Sequence, residues 1–319
     1  MTRSATLSML ATAGLLAACG SAETPTRGAP ERIAATERPA GTIVFVTDAN
    51  RLNAIDVASG RRVTRRMRSL PACGSEVFVT GGRIVFSGVV KGLTTVFSVP
   101  LSLDRRPTPL GTTHAFVPSA TEGRVWLAGT DCDRPALIGV REVAVDGRVT
   151  FESDRRVSGS WVAGAVPDGL VIQRGRALLL WDPGTGRTGG RLGLDVVFQA
   201  HGNLLSGCAD ASDCREVAVV DTRTGRTVVA RPSGRYELDW AARFSPDGSR
   251  LATPVRDERR WSVALIDART GTYTIIPGSR TGEYPELGWA RSSGWLFIRG
   301  VDDAKWRHRA ALAATSTWR

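Results

Sequence analysis

A short turn signature that recurs at nearly regular intervals is the feature of this sequence that most constrains its fold. In each copy an apolar run ends in aspartate, and a hydroxyl residue and then glycine follow; the copies occupy residues 56–60, 182–186, 221–225 and 267–271. Aspartate and the hydroxyl residue accept hydrogen bonds from nearby backbone N–H groups, and glycine adopts positive φ, so each copy predicts a chain reversal. The last three aspartates are 39 and 46 residues apart, and the first lies 126 residues, or three intervals of 42, before the second. The chain therefore contains a structural repeat of roughly forty residues.

The segments between these turns have the composition of β-strands. Short runs rich in β-branched and aromatic residues alternate with turn clusters, and no segment has a convincing helical pattern. The predicted strands include 42–46, 76–80, 83–87, 95–99, 124–128, 215–220 and 262–266. Degenerate copies of the turn lie near residues 103–104 and 143–147. The sequence therefore predicts an all-β fold.

Three motifs connect this repeat to a known family. Residues 244–252, FSPDGSRLA, resemble the hairpin between the first two blade strands of WD-repeat and TolB-type propellers, and Trp181-Asp182 resembles the WD dipeptide. Residues 288–297 are similar to the first motif without its Pro-Asp. The resemblance implies a β-propeller domain over residues 41–319. The spacing of the predicted third strands favours seven four-stranded blades, with six or eight as alternatives. The first blade lacks a clear innermost strand and the last a clear outermost one, which ring closure would explain.

The N-terminus carries a second recognisable pattern. Leu16-Ala-Ala-Cys19 closes a weakly apolar run that follows a single basic residue, Arg3. This arrangement resembles a bacterial lipoprotein signal, which implies removal of residues 1–18 and lipid attachment, with palmitate among the acyl chains, at Cys19. The run is shorter than the roughly 20 residues that a spanning helix needs, and the alternative is a short buried helix. Residues 19–40 are then expected to form a disordered tether that holds the domain on the extracytoplasmic side of the cell membrane.

The charge of the chain limits its partners. The formal net charge is +11, and the basic residues are scattered along the chain instead of gathered on one segment. With an exported location, this distribution argues against a nucleic-acid partner. A basic surface attracts anionic lipid headgroups or anionic wall polymers. The expected partners are the membrane, through the lipid anchor, and an envelope protein or a small ligand.

Four cysteines remain besides the lipidated one, and an even number outside the cytoplasm is read first as disulfides. Cys208 and Cys214 lie in a short polar segment between two predicted strands, where a hairpin would bring them within bridging distance. The favoured pairing joins these two and joins Cys73 to Cys132. A zinc site is the alternative, although the sequence has neither a CxxC motif nor a neighbouring histidine pair.

Groups able to carry catalysis are few and separated. The three histidines, His114, His201 and His308, have no other catalytic residue close to them in sequence. Two acidic pairs, Asp131 with Asp133 and Asp210 with Asp213, flank or separate cysteines in predicted loops. We interpret them as solvated turn residues and predict no catalytic residue, no metal site and no cofactor.

Arginine beside tryptophan gives the best indication of a binding surface, since both residue types are enriched in interface hot spots. The pattern occurs at Arg260-Trp261 and again at Trp306, Arg307 and Arg309. Neighbouring side chains on a strand point to opposite faces, which limits how such a pair can act together. These observations predict a non-catalytic protein- or ligand-binding module. The alternatives are a calcium-dependent propeller hydrolase or lactonase, and an accessory sensor of an envelope transport or signalling system.

Overall fold

The described part of the chain is built from β-strands alone. The computed structural model describes residues 42–47, 51–56, 59, 61–66, 77–113, 115–129, 136–137, 139–158, 160–211, 214–231, 237–238, 242–282, 284–289, 296–300 and 311–313. These residues form 29 strands and no helix, which confirms the predicted all-β fold. None of them therefore belongs to a helix that is long and apolar enough to cross a membrane. The chain divides into two units, Met1–Arg32 and Ile33–Arg319, and the first lies outside the described residues.

The first strands of the chain form three antiparallel sheets and a small ribbon. Sheet 1 has the order β1 (Thr42–Thr47), β2 (Arg51–Asp56), β3 (Arg62–Arg66). Sheet 2 has the order β4 (Phe78–Thr80), β5 (Arg83–Val90), β6 (Leu93–Pro100), β7 (Thr108–Thr112). Sheet 3 has the order β8 (Ala115–Pro118), β9 (Arg124–Ala128), β11 (Val140–Ala144), β12 (Val149–Ser153). The ribbon pairs β10 (Ala136–Leu137) with β13 (Val157–Ser158).

Four more antiparallel sheets follow along the chain. Sheet 4 has the order β14 (Ser160–Val166), β15 (Gly169–Arg174), β16 (Ala177–Trp181), β17 (Thr188–Arg191). Sheet 5 has the order β18 (Val196–His201), β19 (Leu204–Cys208), β20 (Val217–Asp221), β21 (Thr227–Ala230). In sheet 6 both β22 (Glu237–Leu238) and β23 (Arg243–Phe244) pair with β24 (Arg250–Asp257), and β25 (Arg260–Asp267) and β26 (Tyr273–Ile275) follow. Sheet 7 has the order β27 (Pro285–Trp289), β28 (Leu296–Gly300), β29 (Ala311–Ala313). This succession of mostly four-stranded antiparallel sheets fits a β-propeller.

The recurring aspartate-to-glycine turn joins the last two strands of its sheet. At β16–β17 the Asp182 carboxylate accepts the backbone N–H of Gly184 at 2.8 Å, and the Gly186 N–H donates to the Asp182 carbonyl at 2.7 Å. The hydroxyl of Thr185 and the N–H of Gly184 hold the pKa of the Asp182 carboxyl below its ordinary value. The same turn joins β2 to β3, so these are the last two strands of sheet 1.

The hairpin of residues 244–252 joins the edge strand β23 to β24, consistent with the hairpin that the propeller resemblance implied. The Gly248 N–H donates to the Ser245 carbonyl at 2.9 Å, and the Asp247 carboxylate accepts the Ser249 N–H at 3.1 Å. Gly248 has a φ of 70°, a left-handed conformation that opposes a Cβ atom. The Ser-Pro-Asp-Gly motif is therefore a tight reversal held by its own side chains.

In two pairs of neighbouring sheets, the last turn of one sheet packs against the outermost part of the sheet before it. Between sheets 3 and 4, the Ser153 hydroxyl donates to the Pro183 carbonyl at 2.9 Å. Between sheets 5 and 6, the Arg226 guanidinium donates to the Arg269 carbonyl at 3.2 Å. Apolar cores fill the space between neighbouring sheets, and strand β1 of sheet 1 contacts β27 of sheet 7. The repeated turn therefore fixes two things, the reversal within a sheet and the spacing to its neighbour.

Because of this dual role, two glycines at equivalent positions of the repeat are expected to differ in the cost of replacement by alanine. Gly225 and Gly271 have φ of 71° and 74°, but a Cβ at Gly225 would meet no atom within 4 Å, whereas one at Gly271 would lie 2.7 Å from the Val229 carbonyl oxygen. Left-handed backbone alone costs about 1 kcal/mol with a Cβ, and overlap with a neighbouring backbone adds about 1–3 kcal/mol. We therefore expect Gly271→Ala to lower the free energy of unfolding by about 2–4 kcal/mol and Gly225→Ala by about 1 kcal/mol. Urea denaturation of both variants tests this, and equal losses would contradict it.

Candidate functional site

The arginine and tryptophan singled out in the sequence, Arg260 and Trp261, begin strand β25 directly after a tight hairpin. Across the hairpin, Trp261 pairs with Arg256 and Arg260 pairs with Asp257. Directly opposed residues of an antiparallel pair share a face of the sheet, whereas consecutive residues do not. Trp261 therefore lies beside Arg256, and Arg260 lies on the other face beside Asp257.

Trp261 is the centre of a small aromatic and cationic cluster. The guanidinium carbon of Arg256 lies 5.6 Å from the centroid of the Trp261 ring, within the range of a cation–π interaction. The Tyr284 ring meets the indole at 5.1 Å between centroids and an interplanar angle of 81°, an edge-to-face contact. Trp261 and Thr281 exchange two backbone hydrogen bonds of 2.9 Å, which fix the segment before Tyr284 against β25.

The polar side of this cluster carries an excess of positive charge. The Arg280 guanidinium donates to the Asp257 carboxylate at 2.9 Å. The backbone N–H of Arg260 donates to the same carboxylate at 3.1 Å. Three further guanidinium groups, those of Arg256, Arg259 and Arg260, are exposed and form no ion pair with any described residue. We define the Arg–Trp patch as Arg256, Asp257, Glu258, Arg259, Arg260, Trp261, Arg280 and Tyr284. Its four arginines and two carboxylates give a net charge of +2.

The position of the patch follows from the packing of sheets 6 and 7. Val263 and Leu265 share the Trp261 face of β25 and pack in the apolar cluster that also contains Leu296 and Ile298 of sheet 7. The patch therefore lies where this apolar core reaches one end of the two sheets. At that end Pro285, the residue after Tyr284, pairs with Gly300, the last residue of β28.

Several predicted site residues lie outside the described residues. Trp306, Arg307 and Arg309 belong to the segment that joins β28 to β29, and Cys19 belongs to the N-terminal unit. Seven further residues singled out in the sequence lie outside as well, namely Cys73, Cys132, Asp131, Asp133, Asp213, His114 and His308. The proposed roles of all these residues stay predictions.

The cysteine pair near the middle of the chain is present as a disulfide. Cys208, at the buried end of β19, is joined to Cys214 with their Cα atoms 5.5 Å apart. The bond closes the loop between β19 and β20, and Asp195 accepts the N–H of Ala211 from the same loop at 3.4 Å. Arg191 forms an ion pair with Asp195 at 2.7 Å, so Asp195 has structural contacts with both β17 and this loop.

Within the described ranges, the most buried carboxylate belongs to Glu142 on β11. It accepts hydrogen bonds from Ser119 at 2.6 Å, Thr150 at 2.8 Å and Arg124 at 2.9 Å. Burial opposes its ionisation, but the hydrogen bonds from Ser119, Thr150 and Arg124 together hold the pKa of Glu142 below its ordinary value. All three partners come from the same sheet or its turn, so this satisfied network stabilises sheet 3. No group of three or more possible metal ligands occurs among the described residues.

His201 is the one histidine within the described residues, and it lies between two sheets. Its ring is 5.8 Å from the Phe244 ring, and it packs against the Gly248 turn of sheet 6. Burial lowers the pKa of His201, and the nearby Asp247 carboxylate opposes this effect only in part. The geometry gives His201 a packing role.

We expect His201 to make stability depend on pH between about 7.5 and 5.5. Because its pKa is lower in the folded chain, protonation favours the unfolded state. The contribution is fully present above the ordinary histidine pKa of about 6.5 and is lost as pH falls toward the lowered value. Thermal melts over this range should show a steeper loss for the wild type than for His201→Phe; parallel curves would contradict the assignment.

A cleft of about 300 Å³ at sheet 3 is a site that the sequence did not indicate. Arg141 and Glu152 form a long ion pair of 4.0 Å at its wall, and Thr112, Thr113 and Asp154 supply further polar groups. Its lining comes from the ends of β7, β9, β11 and β12, which are far apart in sequence. No local pattern could have found it.

Comparison with known proteins supports the fold class. No protein-family model and no curated protein matches the sequence. Among solved structures, acylaminoacyl peptidase in complex with a chloromethyl ketone aligns with a TM-score of 0.52 at 12% identity, over 82% of this chain and 50% of that one. TolB from Acinetobacter baumannii aligns with a TM-score of 0.48 at 15% identity, over 76% and 64%. A functionally unknown protein from Desulfotomaculum acetoxidans aligns with a TM-score of 0.48 at 10% identity, over 82% and 89%. This chain thus spans less than two thirds of the first two proteins, and likeness at such identity concerns the fold alone.

Proposed function

We propose that this chain is a seven-bladed β-propeller, anchored by lipid at Cys19 to the extracytoplasmic side of the membrane, that binds a partner without catalysis. The observation that carries the binding role is the Arg–Trp patch. It presents a half-buried tryptophan that contacts Arg256 and Tyr284, at a hairpin where the Arg259 and Arg260 guanidinium groups form no ion pair with any described residue. Such an arrangement is typical of interface hot spots.

The contacts at the chain ends support a closed ring of seven blades. The aspartate turn after β2 identifies sheet 1 as the second, third and fourth strands of a blade, without an innermost strand among its described residues. Sheet 7 likewise has three described strands, and its inner strand β27 contacts β1. Such a contact would bring the first and last blades together and leave no open inner edge.

The anchor rests on the N-terminal sequence. Leu16-Ala-Ala-Cys19 supplies the cysteine thiol to which lipid is attached in bacterial lipoproteins, which this segment resembles. Anchoring would hold the Arg–Trp patch within reach of other envelope proteins, because a flexible segment of about 20 residues spans tens of ångströms.

Photo-crosslinking in the native envelope tests the proposal. A photoreactive amino acid at position 260 should form an adduct of defined mass, which Trp261→Leu should abolish. The matched control is the same amino acid at position 176, where Arg176 is exposed on the equivalent hairpin of sheet 4. Cys19→Ser should in addition release the protein from the membrane fraction. Equal adducts from positions 260 and 176, or no adduct, would refute the binding role.

A further inference from the structure

We infer that the Arg–Trp patch takes a carboxylate-rich segment of a partner polypeptide. This inference rests on the proposed binding function and names the chemistry of its partner. Three observations carry it. Three guanidinium groups of the patch have no carboxylate partner within the described part of the chain, the surface of the indole is already partly covered, and two carboxylates lie in the same hairpin.

The available donors match carboxylates. Arg256, Arg259 and Arg260 are exposed and form no ion pair with any described residue, so their N–H groups can reach a ligand. A guanidinium presents a planar fork that binds a carboxylate through two parallel hydrogen bonds. The cation–π contact with Trp261 restrains Arg256 and thereby lowers the entropic cost of using it.

The covered indole argues against a sugar as the main ligand. A sugar ring that stacks on tryptophan needs an open aromatic face, but both the Arg256 guanidinium and the Tyr284 ring already contact the Trp261 ring. Tryptophan, tyrosine and arginine are instead the residue types most enriched where polypeptides bind each other.

The two carboxylates of the hairpin argue against a dense polyanion. Asp257 and Glu258 lie between Arg256 and Arg259, so a phosphate polymer or an anionic lipid surface would bring negative charge against them. A polypeptide can place glutamate or aspartate opposite the arginines and neutral residues opposite the carboxylates. It can also donate backbone N–H groups to Glu258.

The test uses the full chain carrying Cys19→Ser and a fluorescein-labelled synthetic peptide in which glutamate alternates with serine. Fluorescence polarisation should show binding that is at least ~10-fold tighter than for the same peptide with glutamine, and that weakens with salt. Arg256→Gln and Trp261→Leu should each weaken binding about 10-fold, as expected of hot-spot residues. Arg176→Gln, which removes the same charge from the equivalent hairpin of sheet 4, should change the Kd less than ~2-fold. Melting curves confirm that each variant is folded, and Arg256→Gln alters an exposed side chain only.

Two comparison probes decide the class of partner. If inorganic polyphosphate or phosphatidylglycerol vesicles bind in a patch-dependent manner and the glutamate peptide does not, the inference is overturned. Loss of peptide binding while the position-260 adduct persists would overturn the inference and leave the proposed function standing. Loss of both peptide binding and the adduct would overturn both.

Discussion

Trp181→Ala is expected to lower the free energy of unfolding by about 3–5 kcal/mol, as is typical when a large buried aromatic side chain is truncated. Trp181 is 1% exposed and belongs to the core between sheets 3 and 4. There it is clustered with Val140 of sheet 3 and with Leu170 and Ile172 of sheet 4. Alanine would leave a cavity that two rigid sheets can fill only in part.

Trp161→Ala is the matched control for this substitution. Trp161 lies on β14 of the same sheet, separated from β16 by β15, and is only partly buried. Its truncation should cost less than half as much when both variants are unfolded in guanidinium chloride, because less apolar surface returns to water. Similar decreases in the free energy of unfolding at the two positions would show that Trp181 does not make a special contribution to the core between these sheets.

Trp181 also illustrates how much of the fold the sequence contains. The aspartate that follows it accepts the predicted backbone hydrogen bonds, and the predicted strand of residues 124–128 has the observed bounds. These features depend on interactions between residues close in sequence, which a local pattern records. The predicted strand of residues 215–220 instead begins at Val217, after the loop that the Cys208–Cys214 disulfide closes.

The candidate site could be predicted only in part, because a local pattern records only interactions between residues close in sequence. Arg260 and Trp261 were visible as adjacent residues, but the partner of Trp261 is Arg256, which the register of the β24–β25 hairpin places opposite it. The two-residue turn between Asp257 and Arg260 contained that information, since hairpin length determines register. Tyr284 reaches the indole from another segment, and no local signal placed it there.

Gly207→Ala is expected to destabilise the chain by about 3 kcal/mol or more, because the added methyl group has no space. Gly207 lies on β19 opposite Val197, where the register of β18 shifts between Val197 and Gln199. A Cβ at this position would overlap the carbonyl oxygen of Val196. That atom is backbone, so β18 and β19 would have to separate and lose part of their hydrogen bonding.

Gly190→Ala on β17 is the matched control. It distinguishes the effect of this close approach from the general effect of replacing a glycine in a strand. A Cβ at Gly190 would meet no atom within 4 Å, so alanine there should leave stability unchanged or raise it by up to about 1 kcal/mol through a less flexible unfolded chain. Both variants should be unfolded in urea with the Cys208–Cys214 disulfide intact, since Cys208 is the next residue after Gly207. A loss at Gly207 no larger than the change at Gly190 would mean that the bulge in β18 can relax. The close approach of the two backbones would then not be what requires glycine at this position.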